Sequence, residues 1–203
     1  GSSVIIPSYS LIIPASTEKK SLVVNGMSSS NRGSAFANSG IVVSINPQDV
    51  KEYSKQSALS LMKFQQECEQ KIYIHNQTSP AQRISDFIRN KPSNNISATS
   101  YPSGLQVCNM NDYLPRIIAE HLKEGFKVFD RRIKGFISNQ ATMIGLESRT
   151  SSPVRILRDK DSLQHPQLTM LFPCGEGAGY AGGITSSAID GVNAAKQISQ
   201  ILK

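Results

Sequence analysis

Residues 171–191, LFPCGEGAGYAGGITSSAIDG, set Gly177, Gly179 and Gly182 in the spacing GxGxxG. Before them, residues 168–172, LTMLF, read as a strand. After them, Ile184, Ala188, Val192, Ala195 and Ile198 recur at intervals of three and four and predict a helix. Such a unit recognises electron-rich oxygen. Glycines let the backbone approach a ligand closely, and the free N–H groups of the first helical turn attract anionic groups. A dinucleotide fingerprint also needs a second parallel strand and an acidic residue about 20 positions on to hold a ribose. Only 21 residues follow Gly182. The pattern therefore predicts a closing strand and helix whose partner strands come from elsewhere; the same glycines could also serve tight packing of helix on strand.

A second group lies in residues 147–155, ESRTSSPVR, where Arg149 and Arg155 flank Thr150, Ser151 and Ser152. Charge-assisted hydrogen bonds from such a cluster can hold a carboxylate or an anionic ring. An exposed turn with arginines at alternate strand positions is the competing account. Residues 28–40, SSSNRGSAFANSG, offer Arg32, Asn38 and Ser39 in a polar loop, which suits a substrate-side loop or an ordinary connection. Glu176 can favour the positive end of the following helix, and Cys174 reads as a small buried hydrophobe. His75, His121 and His165 show no Ser-His-Asp or metal-ligand spacing, and Cys68, Cys108 and Cys174 match no metal motif. Hydrolase and metalloenzyme classes are therefore set aside, and no metal is expected.

The positioning elements change character along the chain. Residues 4–45 are β-branched segments broken by turn formers, among them Asn25-Gly26 and Ser39-Gly40, and predict short strands. Leu61, Phe64, Cys68 and Ile72 mark one face of a helix near 57–74. Residues 79–82, SPAQ, carry a capping-box pattern that predicts a helix over 80–90. Residues 90–104 are polar and rich in breakers, and so predict a loop. A third helix is expected over 112–128, with Pro115 in its first turn and Leu114, Ile117, Ile118 and His121 as its stripe. Strands return in ATMIGLES and PVRILRD, within 141–158. The fold class is α+β: a β-barrel or curved mixed sheet from 4–45 and 141–158, a helical insertion over 57–130, and a closing strand and helix of a dinucleotide-binding fold.

The 203 residues are 38% hydrophobic and 18% charged, as in a globular protein. The net charge of +7 is spread thinly, at +1, +3, +4 and −1 over residues 1–50, 51–110, 111–160 and 161–203. The densest basic stretch, residues 130–135, lacks interleaved aromatics, which argues against a nucleic-acid surface. No apolar run reaches the roughly 18 residues of a membrane span. Three scattered cysteines fit a reduced, cytoplasmic setting, and Gly1-Ser2-Ser3 reads as a cloning remnant.

Four segments in order resemble one family, the bacterial FAD-dependent dehydrogenases often labelled NAD(FAD)-utilising dehydrogenases. They are VVNGMSSSNRGSAFANSGIVVSI, SPAQRISDFI, GLESRTSSPVRILRD and LFPCGEGAGYAGGITSSAIDG. The resemblance implies a fragment in which residues 4–167 form an inserted substrate-side domain and 168–203 the last part of the FAD-binding domain. Its partners would be the missing N-terminal FAD-binding part and a small-molecule substrate. FAD would belong to the full-length enzyme and be absent from this fragment, with NAD(P)H one conceivable electron donor. Gly175, Glu176, Gly177, Ala178, Gly179, Tyr180, Ala181, Gly182, Gly183 and Ile184 would line the flavin. The N–H groups near 181–184 would face its phosphates or pyrimidine edge, and Glu176 its ribityl or ribose hydroxyls. Arg32, Asn38, Ser39, Arg149, Ser151, Ser152 and Arg155 would serve the substrate side; no catalytic residue is assigned. Residues 7–17, PSYSLIIPAST, depart from the family in lacking its Cys-containing, glycine-rich turn. A binding module without catalysis, holding nucleic acid or an acidic partner, is the competing function.

Overall fold

The computed structural model describes every residue except 1, 2, 9, 10, 29, 31, 32, 52–56 and 203, and of residues 3–8 it describes the backbone only. The chain divides into two compact units, Gly1–Asp49 with Phe64–Ser148, and Val50–Lys63 with Arg149–Lys203. The boundary expected near Gln167 thus lies inside the second unit.

The expected short strands form in the first unit: β1 (Ser3–Ser8), β2 (Leu11–Pro14), β3 (Val24–Met27) and β4 (Asn38–Val43). They pair as two antiparallel ladders, β1 with β4 and β2 with β3. Asn25-Gly26 and Ser39-Gly40 lie inside β3 and β4 rather than at turns. Helix α1 (Ser60–Lys71) follows, with Phe64 and Cys68 buried as the periodicity indicates.

Residues 79–82 do not open a helix. They form β5 (Ser79–Arg83), which leads into the short α2 (Ile84–Ile88). Tertiary pairing overrides the capping pattern: β5 is the centre of a three-stranded sheet, parallel to β6 (Leu105–Val107) and antiparallel to β7 (Thr142–Ile144). The fully buried Gln82 locks this arrangement, donating to the Lys91 carbonyl at 2.7 Å and accepting from the Met110 N–H at 2.8 Å.

The third predicted helix is two helices, α3 (Met110–Tyr113) and α4 (Arg116–Arg132). Leu114 is extended at φ −78, ψ 141, as the ring of the following proline demands, so Pro115 precedes α4 instead of entering the first turn of a longer helix. Ala119, Leu122, Phe126 and Phe129 form its buried stripe, and half-buried His121 places Nδ1 2.8 Å from the Ile117 carbonyl. Phe87 meets Phe126 edge-on at 6.2 Å, and Phe136 packs on both Phe126 and Phe129. Leu22, Ile72 and Met110 complete the centre.

The α+β class holds, but the barrel does not. Among the described residues there is no closed barrel, and β7 pairs with β5 instead of joining the strands of residues 4–45. The expected strand over 153–158 is irregular, as is 168–172, where Met170 takes φ +62. In the second unit the long helix is α5 (Ile184–Ile201). Residues 159–171 fold on themselves: Asp159 N–H donates to the Gln164 carbonyl at 2.9 Å, and His165 N–H to that of Leu171 at 2.8 Å. These local bonds occupy backbone groups that a strand would have offered to neighbours.

Replacing Gln82 by Leu orphans the buried Met110 N–H and should lower the unfolding free energy by about 2 kcal/mol. Phe87→Ala should lower it by about 3–5 kcal/mol through the cavity it leaves. Denaturant melts of the chain check both.

Candidate functional site

The glycine-rich turn, residues 173–183, runs beside residues 152–158 and ends at the start of α5. Gly175 and Gly179 take φ +74 and +84, left-handed values that side-chain-bearing residues rarely adopt. Within the turn, Gly179 N–H donates to the Glu176 carbonyl at 2.9 Å, and Tyr180 N–H to that of Gly175 at 3.1 Å.

The arginine-containing segment takes up most of the other acceptors. Ile156 N–H donates to the Ala178 carbonyl at 3.2 Å, Arg155 Nε to that of Gly179 at 3.0 Å, and Arg158 Nη1 to that of Pro173 at 2.8 Å. Ser152 Oγ donates to the Gly177 carbonyl at 3.3 Å and to that of Val154 at 2.8 Å. Tyr180 returns a bond through its hydroxyl to the Ile156 carbonyl at 2.9 Å. Both Arg155 and Arg158 lie over the Tyr180 ring, at 5.0 and 3.7 Å from its centroid. This explains why 153–158 is no strand: its groups bond to the turn.

Toward the start of α5 the turn keeps several donors uncommitted. Gly183 precedes α5, and Ser186 Oγ accepts its N–H at 3.1 Å and donates to its carbonyl at 3.0 Å. The Ser187 N–H makes the first bond of the helix, to the Gly183 carbonyl at 2.8 Å. Among the described residues, the N–H groups of Ala181, Gly182, Ile184 and Thr185 have no protein acceptor. A side chain at Gly177 or Gly182 would meet nothing within 4 Å. Open space beside unused donors, next to a helix N-terminus, fits an electron-rich ligand.

The expected site residues fare unequally. Ser152 and Arg155 face the turn and are spent on its carbonyls. Ser151 is exposed, Arg149 half-buried, and Glu176 exposed at the tip of the turn. Asn38 and Ser39 lie in β4 of the first unit, and Arg32 is outside the described residues. Gly179 serves the protein itself, because an added Cβ would stand 2.6 Å from the Val154 carbonyl oxygen. Cys174 is exposed and so is not the buried hydrophobe expected, whereas burial pushes the Cys68 thiol up to about 12 and the Cys108 thiol to about 11. Sequence reasoning missed Arg158 and Asp190. They pair through 2.7 and 3.0 Å bonds, and Asp190 Oδ2 also accepts the Gly175 N–H at 2.8 Å. Their opposite charges 32 positions apart carry no sequence signal. Among the described residues, no group of His, Cys, Asp or Glu could hold a metal ion, and no helix is long and apolar enough to cross a membrane.

Residues 10–150 match the family described as FAD-dependent protein, C-terminal domain-like. An uncharacterised protein of Clostridium beijerinckii is 36% identical over 190 residues, which is 93% of this chain and 36% of that protein. The chain thus spans about a third of the length of the curated relative it matches.

Gly179→Ala should cost about 1–3 kcal/mol, since it forces a strained backbone and a clash. Gly182→Ala, which meets no neighbour, should stay within about 0.5 kcal/mol; urea melts separate the two. Maleimide near neutral pH should modify Cys174 in the folded chain well before Cys68 and Cys108, as peptide mapping would reveal.

Proposed function

Because the chain belongs to the family of FAD-dependent proteins with this C-terminal-like domain, we propose that it is part of a flavin-dependent oxidoreductase, a dehydrogenase acting on a small-molecule substrate. The observation that carries the proposal is the turn's hydrogen-bond inventory: the carbonyls of Pro173 and of residues 175–179 are spent within the protein, and the N–H groups of Ala181, Gly182, Ile184 and Thr185 are left over beside the start of α5. An electron-rich ligand needs that polarity.

Gly175, Gly177, Gly182 and Gly183 would let backbone approach the flavin, and the N–H groups of Ala181, Gly182, Ile184 and Thr185 would face its phosphates or pyrimidine edge. Glu176 would hold ribityl or ribose hydroxyls. Flavin, when bound, supplies hydride chemistry; these residues orient it and favour negative charge on its edge. Arg149 and Ser151 would serve an anionic small substrate. NADH and NADPH are the electron donors to try first.

The surface of α5 supports a larger flavin domain. Ile184 is 93% exposed, Ile189 57% and Val192 54%, and Ala194 is the one residue of α5 buried. A stripe this apolar belongs against another layer. A relative nearly three times as long has chain to supply it. The non-catalytic binding module has no comparable observation in its favour; retention on a polyanion column that collapses with salt would be its signature.

The test compares this chain with a longer version carrying the preceding residues. The longer protein should purify yellow, with FAD identified after denaturation, and this chain colourless. Stoichiometric flavin on the 203 residues would overturn the division of labour. In the longer protein, Gly182→Val should lose flavin while keeping its far-UV circular dichroism, because a β-branched side chain would fill the space left for the cofactor. Arg149→Ala should retain flavin and weaken an anionic substrate. Full flavin in Gly182→Val would refute the contact.

A further inference from the structure

Arg158 and Asp190 form the least exposed ion pair described in the chain, with side chains 10% and 14% accessible. The guanidinium grips the carboxylate with two nitrogens, at 2.7 and 3.0 Å. Each partner then reaches the start of the glycine turn: Arg158 Nη1 to the Pro173 carbonyl at 2.8 Å, Asp190 Oδ2 to the Gly175 N–H at 2.8 Å. The same guanidinium lies 3.7 Å from the Tyr180 ring centroid. One planar group therefore ties together residues 155–158, both halves of the turn and the second turn of α5.

Such a pair is a poor source of net stability, since desolvating two charges offsets most of their attraction. It is a good source of direction. A planar fork bonded on two edges and stacked on a ring has one orientation, where an apolar contact would let the turn slide. The unused donors of Ile184 and Thr185 sit on the same rigid helix as Asp190. The clip from Gly175 to Asp190 thus sets the path of the turn between a fixed start and those donors.

We infer that Arg158 and Asp190 are positioning residues of the flavin turn, holding its donors in place before the cofactor binds. The inference rests on the reading of this turn as flavin-contacting. It extends that reading to two residues that touch no proposed ligand atom and act through Pro173, Gly175 and Tyr180.

The experiment uses the longer protein stripped of flavin and titrated with FAD, following the dissociation constant and the visible absorption bands of bound flavin. Far-UV circular dichroism serves as the folding check. Arg158→Ala and Asp190→Asn should each weaken FAD binding at least tenfold and alter those bands, as loss of a supporting shell does. Their combination should be no worse than the worse single change, because the two act as one clip. Arg158→Lys, which keeps charge and loses the fork, should fall between and guards against a variant that does not fold. Wild-type affinity and spectrum in Arg158→Lys and Asp190→Asn, with Gly182→Val losing flavin, would overturn the inference alone. Additive losses in the double variant would also overturn it. Should Gly182→Val keep wild-type binding as well, the reading of the turn itself falls.

Discussion

A tight turn full of glycine exposes its peptide groups, and every exposed carbonyl must find a donor or face water. Here residues 152–158 supply those donors. Once Ser152, Arg155, Ile156 and Arg158 are committed to the carbonyls of 173–179, several other features follow. The segment cannot be a strand, Gly179 must be glycine to clear the Val154 carbonyl, and the N–H groups of Ala181, Gly182, Ile184 and Thr185 are the donors that the turn and the start of α5 keep for anything else. The set of donors left at the candidate site is thus a by-product of how the turn is held together.

The charges play two roles in this arrangement. Arg158 holds the Asp190 carboxyl below its ordinary range, with desolvation opposing and the Gly175 N–H assisting. That pair is sheltered, and it is built into the turn. By contrast, Arg116 with Glu120 and Lys127 with Glu124 are fully exposed pairs along α4; water and salt screen them, and they decorate the helix surface without positioning anything. The net charge of +7 is mostly of this second kind. It says less about partners than one buried guanidinium does.

The first unit stands on a different principle. Its centre is aromatic, with Phe87, Phe126, Phe129 and Phe136 in contact across α2, α4 and the residues after α4. The fully buried amide of Gln82 bridges two backbone groups that no ladder reaches. Apolar packing supplies most of the driving force, and the amide selects a single register for β5 among the alternatives.

Patterns carried by neighbours along the chain were legible in the sequence. The stripe of α4, the face of α1, the short strands before residue 45 and the glycine turn leading to α5 all rest on local periodicity or on residues with local backbone preferences, which need no partner to be read. Three decisions were made only by tertiary contacts. Residues 79–82 carry helix-start residues yet form the middle of a sheet, because pairing with residues 105–107 and 142–144 and the burial of Gln82 outweigh a capping preference worth about 1 kcal/mol. Residues 153–158 alternate like a strand, but the glycine turn claims their hydrogen bonds first. Arg158 and Asp190, ordinary charges 32 positions apart, become a sheltered pair only when turn and helix fold back on each other. The sequence by itself determined where α1, α4, α5, the short strands before residue 45 and the glycine turn would form, since those follow from preferences between near neighbours. The tertiary structure alone decided which backbone groups were left over to meet a ligand, because that is a remainder, known only after every other partner has been assigned.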